Sequence, residues 1–395
     1  MNHSSYYMAD NADIESEKQI AAKNLFQAGD YNGALKVYLD MLKTSGISYK
    51  LYYDIGRCYY RIGNIDEAEN YFKNSIMIEN TKNLSYIYLG NIEFHKDNLS
   101  NAIEYWMFAS VHNPDDENIC RNLATSYFTK DMKFQSALYY LKYLKYSKDK
   151  KSNYYIDIQN SLLEAERNCQ DFYKKTLKSV SMNDKETAID GLKYALDKYP
   201  LNFDMNCLLG KTFLSDKKYT EALKYLNQAY CIDSKSTDIL EMLSVNNIAL
   251  RDYSTAYCCL KRMLRLAIGH QKMYLEIIQN IHKIEPVLAS NSYEKHLTKA
   301  EEYYTNNDYH MALFEYENTI ILNPTLAQKL GGKIELLKKF INPEIDAIKI
   351  SLEKGGIYYS EKDYRKSNKY FSKVMLLADE RSTEYKIAKT RLVNV

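Results

Sequence analysis

Residues 86–114 read YIYLGNIEFHKDNLSNAIEYWMFASVHNP, and the spacing inside this stretch decides the fold. Tyr86, Leu89 and Gly90 fall at i, i+3 and i+4, one face of a helix. A polar turn follows, and then Ala102 and Trp106 open a second stripe of helical period. Two helices joined by a tight turn account for both stripes, with the small Ala102 letting their backbones approach where a larger side chain would hold them apart.

The turn recurs along the chain. Residues 29–35 read GDYNGAL, 63–69 GNIDEAE, 132–138 MKFQSAL, 217–223 KKYTEAL, 251–257 RDYSTAY, 307–313 NDYHMAL and 362–368 KDYRKSN. The small residue falls at Ala34, Ala68, Ala102, Ala137, Ala188, Ala222, Ala256, Ala312 and Ser367. Steps of 34, 34 and 35, then 34 and 34, form a period. Four residues after the small one comes a ring or Leu: Tyr38, Phe72, Trp106, Leu141, Leu226, Leu260, Tyr316 and Phe371. This order, with Tyr86, Leu89, Gly90, Ala102, Trp106, Ala109 and Pro114 as its fullest instance, resembles the tetratricopeptide repeat. The resemblance implies an all-α fold, an α-α superhelix or solenoid of about nine helix pairs over most of residues 15–380.

Irregular steps mark additions to that array. Ala137 to Ala188 is 51 residues, Ala256 to Ala312 is 56 and Ala312 to Ser367 is 55, which predicts three inserted helices near 152–167, 271–284 and 326–340. With the polar joint KDKKS at 148–152, they divide the expected array into blocks at 15–148, 152–268 and 270–395, behind a disordered 1–14. The tail TEYKIAKTRLV is expected to cap the last apolar face, as repeat arrays require.

Bulk composition narrows the function. Lys and Arg number 53 against 51 Asp and Glu, a formal net charge of +2. Such balance supplies no global field for nucleic acid or an anionic membrane, so neither is an expected partner. Pro and Gly, at 5 and 13, are too few for a turn-rich β protein. Seven scattered Cys without a CxxC pair point to a reducing compartment. The opening MNHSSYYMADNADIESEK has no apolar core for a signal peptide, and no apolar run reaches membrane-spanning length. A cytoplasmic location is expected.

A search for chemistry finds none. LGGK at 330–333 lacks the spacing of a phosphate-binding loop, and His3, His95, His112, His270, His282, His296 and His310 show no ligand spacing. No catalytic residue, cofactor or metal is expected. Cys258 and Cys259, adjacent on a helix, are expected to point one into the core and one partly outward. Of the 39 Tyr, those at 31, 219, 253, 309 and 364 share one repeat position and are read as interhelix packing.

If each first helix packs through its repeat positions 4, 7, 8 and 11, then 2, 5, 6, 9, 12 and 13 face away. The resemblance implies that this side lines a peptide groove. In the first four units the residues there include Lys23, Lys50, Tyr53, Arg57, Tyr60, Arg61, Asn91, Phe94, Arg121, Asn122 and Phe128, with His95 beside them and Asp54 interrupting the cations. Amides hold a peptide backbone, guanidinium groups hold carboxylates, and rings hold apolar side chains, so an acidic peptide bound within 15–148 is the expected ligand. Asn91 and Asn122 match the two Asn of the carboxylate clamp in chaperone-binding members of the family, the second after allowing a one-residue insertion before Ala137. Ile87 stands where that clamp has Lys.

Later units change sign at these positions. Asp204, Asp238, Glu241, Glu294, Glu301 and Glu353 outweigh Lys174, Lys211 and Lys349, which would suit a second ligand or self-association. The leading reading is a non-enzymatic scaffold or adaptor for protein partners. The alternative is a peptide sensor or cargo chaperone that changes curvature on binding. An RNA-binding helical array is the weakest of three, because cations do not line every unit.

Overall fold

The structure, a computed structural model, describes residues 17–44, 46–80, 84–181 and 185–392. The segment expected to be disordered, 1–14, lies outside the described residues. Among the described residues every regular element is a helix.

Nine helix pairs follow one another. The first four are α1 (17–27) with α2 (Tyr31–Thr44), α3 (Tyr49–Ile62) with α4 (Ile65–Ile78), α5 (Ser85–His95) with α6 (Leu99–His112), and α7 (Glu117–Thr129) with α8 (Lys133–Tyr146). Next come α9 (Asn153–Ser181) with α10 (Lys185–Lys198), α11 (Phe203–Ser215) with α12 (Tyr219–Ile232), and α13 (Thr237–Ala249) with α14 (Tyr253–Leu266). The unpaired α15 (Gln271–Ile284) precedes α16 (Ser292–Thr305) and α17 (Tyr309–Leu322). The unpaired α18 (Ala327–Ile341) precedes α19 (Pro343–Ser360), α20 (Tyr364–Leu377) and the terminal α21 (Thr383–Arg391). α15 and α18 occupy the places expected for inserted helices. The first insert, expected at 152–167, runs without a break into the helix that follows, giving a single α9 of 29 residues.

One turn geometry makes the pairs. Five residues before eight of the nine small anchors the backbone is left-handed: Gly29, Gly63, Asp97, Asp131, Lys217, Arg251, Asn307 and Lys362. The next N–H reaches back to the preceding helix, as from Asn64 to the Tyr59 carbonyl at 3.0 Å and from Asn98 to Glu93 at 2.9 Å. That ends one helix with a Schellman motif. The same residue starts the next helix, and the side chains of Asn64, Asp252, Asp308 and Asp363 accept a first-turn N–H there.

The turn also fixes the register that composition left open. Left-handed Asp131 places the fourth anchor at Ser136, not Ala137. The Ser136 hydroxyl donates to the Ala124 carbonyl at 3.0 Å, as the Ser367 hydroxyl donates to Gly355 at 3.1 Å. The step from Ala102 is therefore 34, and no insertion precedes it. Leu141, expected to pack four residues on, is 37% exposed, and the half-buried Tyr140 takes its place. Both small residues are buried, so pattern alone could not choose between them. The side chain of Ala188, the fifth anchor, lies outside the described residues.

Close approach is enforced where the first helix meets the ring of the second. A Cβ on Gly56 would stand 2.8 Å from the Phe72 ring, one on Gly90 2.5 Å from Trp106, and one on Gly355 2.7 Å from Phe371. Trp106 and both Phe residues are almost wholly buried.

The described residues divide into two compact units, one from those within 1–114 and 350–395 and the other from those within 115–349. In the second, three second-position helices, α8, α12 and α14, converge on α17. Phe134 of α8 meets His310 edge-on at 6.0 Å, and Gln135 Nε2 donates to Asp308 Oδ1 at 3.2 Å. Lys130 Nζ donates to the Asn306 carbonyl at 2.9 Å and Asn307 Oδ1 at 2.6 Å. Tyr230 of α12 meets Phe314 at 4.9 Å, and α14 adds Arg262, which donates to the Phe314 carbonyl at 3.0 Å and to Asn318 Oδ1 at 2.5 Å. α13, α15 and α17 all pack against α14, and the half-buried Tyr257 and Lys261 mark its outward edge. Cys258 and Cys259 are accordingly both fully buried, contrary to the expectation of one partly exposed.

Two outcomes follow from this packing. Ala is favoured over Gly inside a helix by up to about 1 kcal/mol, yet Gly90→Ala should lower stability in urea unfolding by about 1–3 kcal/mol, because the buried indole cannot give way. Asp252 is the second case. Burial alone would raise its carboxyl, but Lys295 at 2.8 Å, the Ser254 hydroxyl and the Thr255 N–H outweigh burial and hold it well below the usual range. A depressed native value stabilises above the unfolded value and is lost as pH falls. The stability difference between wild type and Asp252→Asn should therefore be full above about pH 5 and shrink below about pH 4.

Candidate peptide-binding surface

The expected site residues of the first unit lie on α1, α3 and α5. Ser48 starts α3 by accepting the Leu51 N–H at 3.2 Å, and the helical period then places Lys50, Tyr53, Asp54, Arg57, Tyr60 and Arg61 along one stripe of the helix. α5 adds Tyr88, Asn91 and Phe94 one repeat later.

Rings form the floor of this surface. Tyr88 lies at its centre, stacked on Phe72 at 4.8 Å and edge-on to Tyr53 at 5.9 Å and Tyr60 at 5.3 Å. Asn91 Oδ1 accepts the indole N–H of Trp106 at 3.2 Å, and Asn91 also hydrogen-bonds Tyr60. Asn91 thus orients rings of the floor. Phe94, 45% exposed, leans on Trp106 at 5.8 Å.

Cations occupy two levels. Lys23, Lys50 and Arg61 are exposed at the rim, Arg61 over the Tyr31 ring at 5.7 Å. Arg57 lies in the floor: its guanidinium is 4.2 Å from the Phe26 ring centroid and 5.4 Å from that of Tyr53, with Nη1 3.3 Å from Asp54 Oδ1. Burial raises the Asp54 carboxyl, and Arg57, Lys23 and Lys50 oppose that rise. Arg57 was expected to point away from the packing; instead it is half-buried and paired, because Phe26 and Asp54 give its plane a stacking face and a counter-charge.

The other three candidates belong to the second unit, on α7. Arg121 is exposed and donates to Asn118 Oδ1 at 3.3 Å, Asn122 is half-buried, and Phe128 is 66% exposed. With the fourth anchor at Ser136, Asn122 stands 34 residues after Tyr88 and 68 after Asp54 at one repeat position. That spacing is the signal in the sequence for Tyr88, which is absent from the expected site residues. Of the acids in later units, Glu301 is paired with Lys333 at 2.7 Å.

A second constellation has the spacing of nucleophile, base and acid. Ser254 Oγ is 2.9 Å from His296 Nε2, and His296 Nδ1 is 2.5 Å from Glu315 Oε2. His296 is fully buried, and Ser254 already donates to Asp252 at 2.9 Å. No substrate reaches it, and its effect is to clasp α14, α16 and α17. Among the described residues no His, Cys, Asp or Glu group is arranged to hold a metal, and no helix is long and apolar enough to cross a membrane.

Comparison with known proteins agrees with the repeat geometry. Residues 25–80 and 180–238 match two tetratricopeptide repeat models. The chain is 24% identical over 358 residues to the BBSome complex member BBS4 of Bos taurus, covering 81% of this chain and 63% of that one. It is 26% identical over 110 residues to the Mus musculus protein of the same name, covering 28% and 21%. The chain thus spans less than two thirds of the length of these relatives. The solved P58(IPK) TPR domain aligns over 95% of this chain and 97% of its own, at 15% identity and a TM-score of 0.30.

Because Arg57 is part of the floor, Arg57→Glu should set a carboxylate against Asp54, strip the stacking on Phe26, and cost about 1–3 kcal/mol in urea unfolding. Arg61→Glu, at the exposed rim, should stay within about 0.5 kcal/mol of wild type.

Proposed function

We propose, from the premise that this chain is a tetratricopeptide repeat protein, that it is a non-enzymatic scaffold subunit which holds extended, acidic segments of partner proteins. The observation that carries the reading is the surface of residues 17–112: an aromatic floor centred on Tyr88, with the exposed cations Lys23, Lys50 and Arg61 around it. Rings offer contact area at low entropic cost, and rim cations steer a negatively charged segment toward them. Arg121, Asn122 and Phe128 offer the same residue types on α7 of the second unit. Similarity to a protein named as a complex member favours a place within a multi-protein assembly. A chain with all seven cysteines unpaired fits a reducing compartment such as the cytoplasm.

The test is affinity capture from native lysate with wild type and with Lys50→Glu/Arg61→Glu, a pair of exposed positions whose reversal leaves the fold alone. Partners bound through acidic segments should fall at least about tenfold in the variant, and wild-type capture should weaken as salt shortens the Debye length below about 8 Å. Equal recovery of the same partners by both proteins would place binding elsewhere.

A further inference from the structure

The second helices of the 115–349 unit do not fill all the space around α17. α8 meets α17 at His310 and α12 meets it one turn on at Phe314, and beside these contacts remains a cavity of about 550 Å³, bounded further by Lys338 and Ile341 of α18 and by Glu344. That volume is typical of a site for a small molecule or a few side chains. Its walls are mixed: Phe134, Leu138, Leu313, Phe314 and Ile341 line it beside charged and polar side chains.

The charged groups around it are already answered by protein partners. Lys142 Nζ is 2.8 Å from the Glu344 carboxylate, Glu317 is 3.5 Å from Arg262, and Lys338 is 3.3 Å from Glu335. Burial, helped by the nearby Lys142, lowers His310 to about 4, so its ring is neutral at pH 7 and presents one N–H donor and one acceptor nitrogen. An ion entering would shed its water and find no unpaired counter-charge. A neutral guest would lose little.

We infer that this cavity is a binding site for an uncharged ligand with an apolar, ring-sized body and one hydrogen-bonding group set against His310. It differs from the surface of residues 17–112 in both respects that select a ligand. It is lined by α8, α12, α17 and α18, and Lys142, Glu317, Lys338 and Glu344 on its walls are each paired within the protein.

Nile red, an uncharged dye whose emission reports a dry site, is the probe for the full chain, with anionic anilinonaphthalene sulfonate as the charged comparison. Saturable binding of one Nile red is expected, at least about tenfold tighter than the sulfonate. Leu313→Trp fills the cavity, and Ser234→Trp narrows its exposed rim without touching the core. Each should weaken Nile red binding at least about tenfold. Met77→Ala, which removes an exposed apolar side chain in the other unit, should leave it unchanged. Circular dichroism confirms that each variant is helical, and Ser234→Trp decides alone if Leu313→Trp does not fold. Unsaturable binding, equal affinity for the sulfonate, or wild-type binding by Ser234→Trp would overturn the assignment.

Discussion

How near two helices can come is set here by what stands on the first helix, and the gap is filled by a ring or Leu from the second. Gly56 receives Phe72, Gly90 receives Trp106 and Gly210 receives Leu226. Dispersion attraction falls off within an ångström, so the missing side chain is what allows contact. The consequence reaches the surface. Phe72 sits on Gly56 from one side and stacks on Tyr88 from the other, and Trp106 sits on Gly90 while donating to Asn91. The side chains that hold the pairs together are also the underside of the candidate site, so its shape cannot be adjusted independently of stability.

The helix pairs were legible because small residues, rings and turns repeat at a fixed period, and a period survives the loss of individual members. The failures have local causes. Ser136 and Ala137 are adjacent, both small and both buried, and only the left-handed Asp131 tells which one faces Ala124. At the candidate site, Lys23, Lys50 and Arg61 lie outward as their repeat positions require. Arg57 shares that stripe, and its burial depends on Phe26 from a neighbouring pair, a contact no spacing rule contains.

Least legible was the interior of the 115–349 unit. α17 buries Glu315, Asn318 and Thr319 along with Phe314 and Tyr316. The polar residues among them are buried because His296 partners Glu315, Arg262 donates to Asn318, and the Thr319 hydroxyl donates to the Glu315 carbonyl. The repeat resemblance points to first helices for a ligand surface, whereas the cavity of this unit is lined by α8, α12, α17 and α18.

The hydrogen bond from Tyr127 to Asn307 spans 180 residues of sequence. In arrays where each repeat touches only its neighbours, unfolding proceeds from an end, one interface at a time. A contact of this range changes the statistics of that process. Closing a loop costs entropy that grows only logarithmically with its length, so the cost is incurred once for the whole segment. After closure, melting α7 or the turn that opens α17 also releases the long-range contact. Partial unfolding is thereby penalised, and the unit behaves as one cooperative block, at the expense of slower folding because distant residues must meet before the gain is realised.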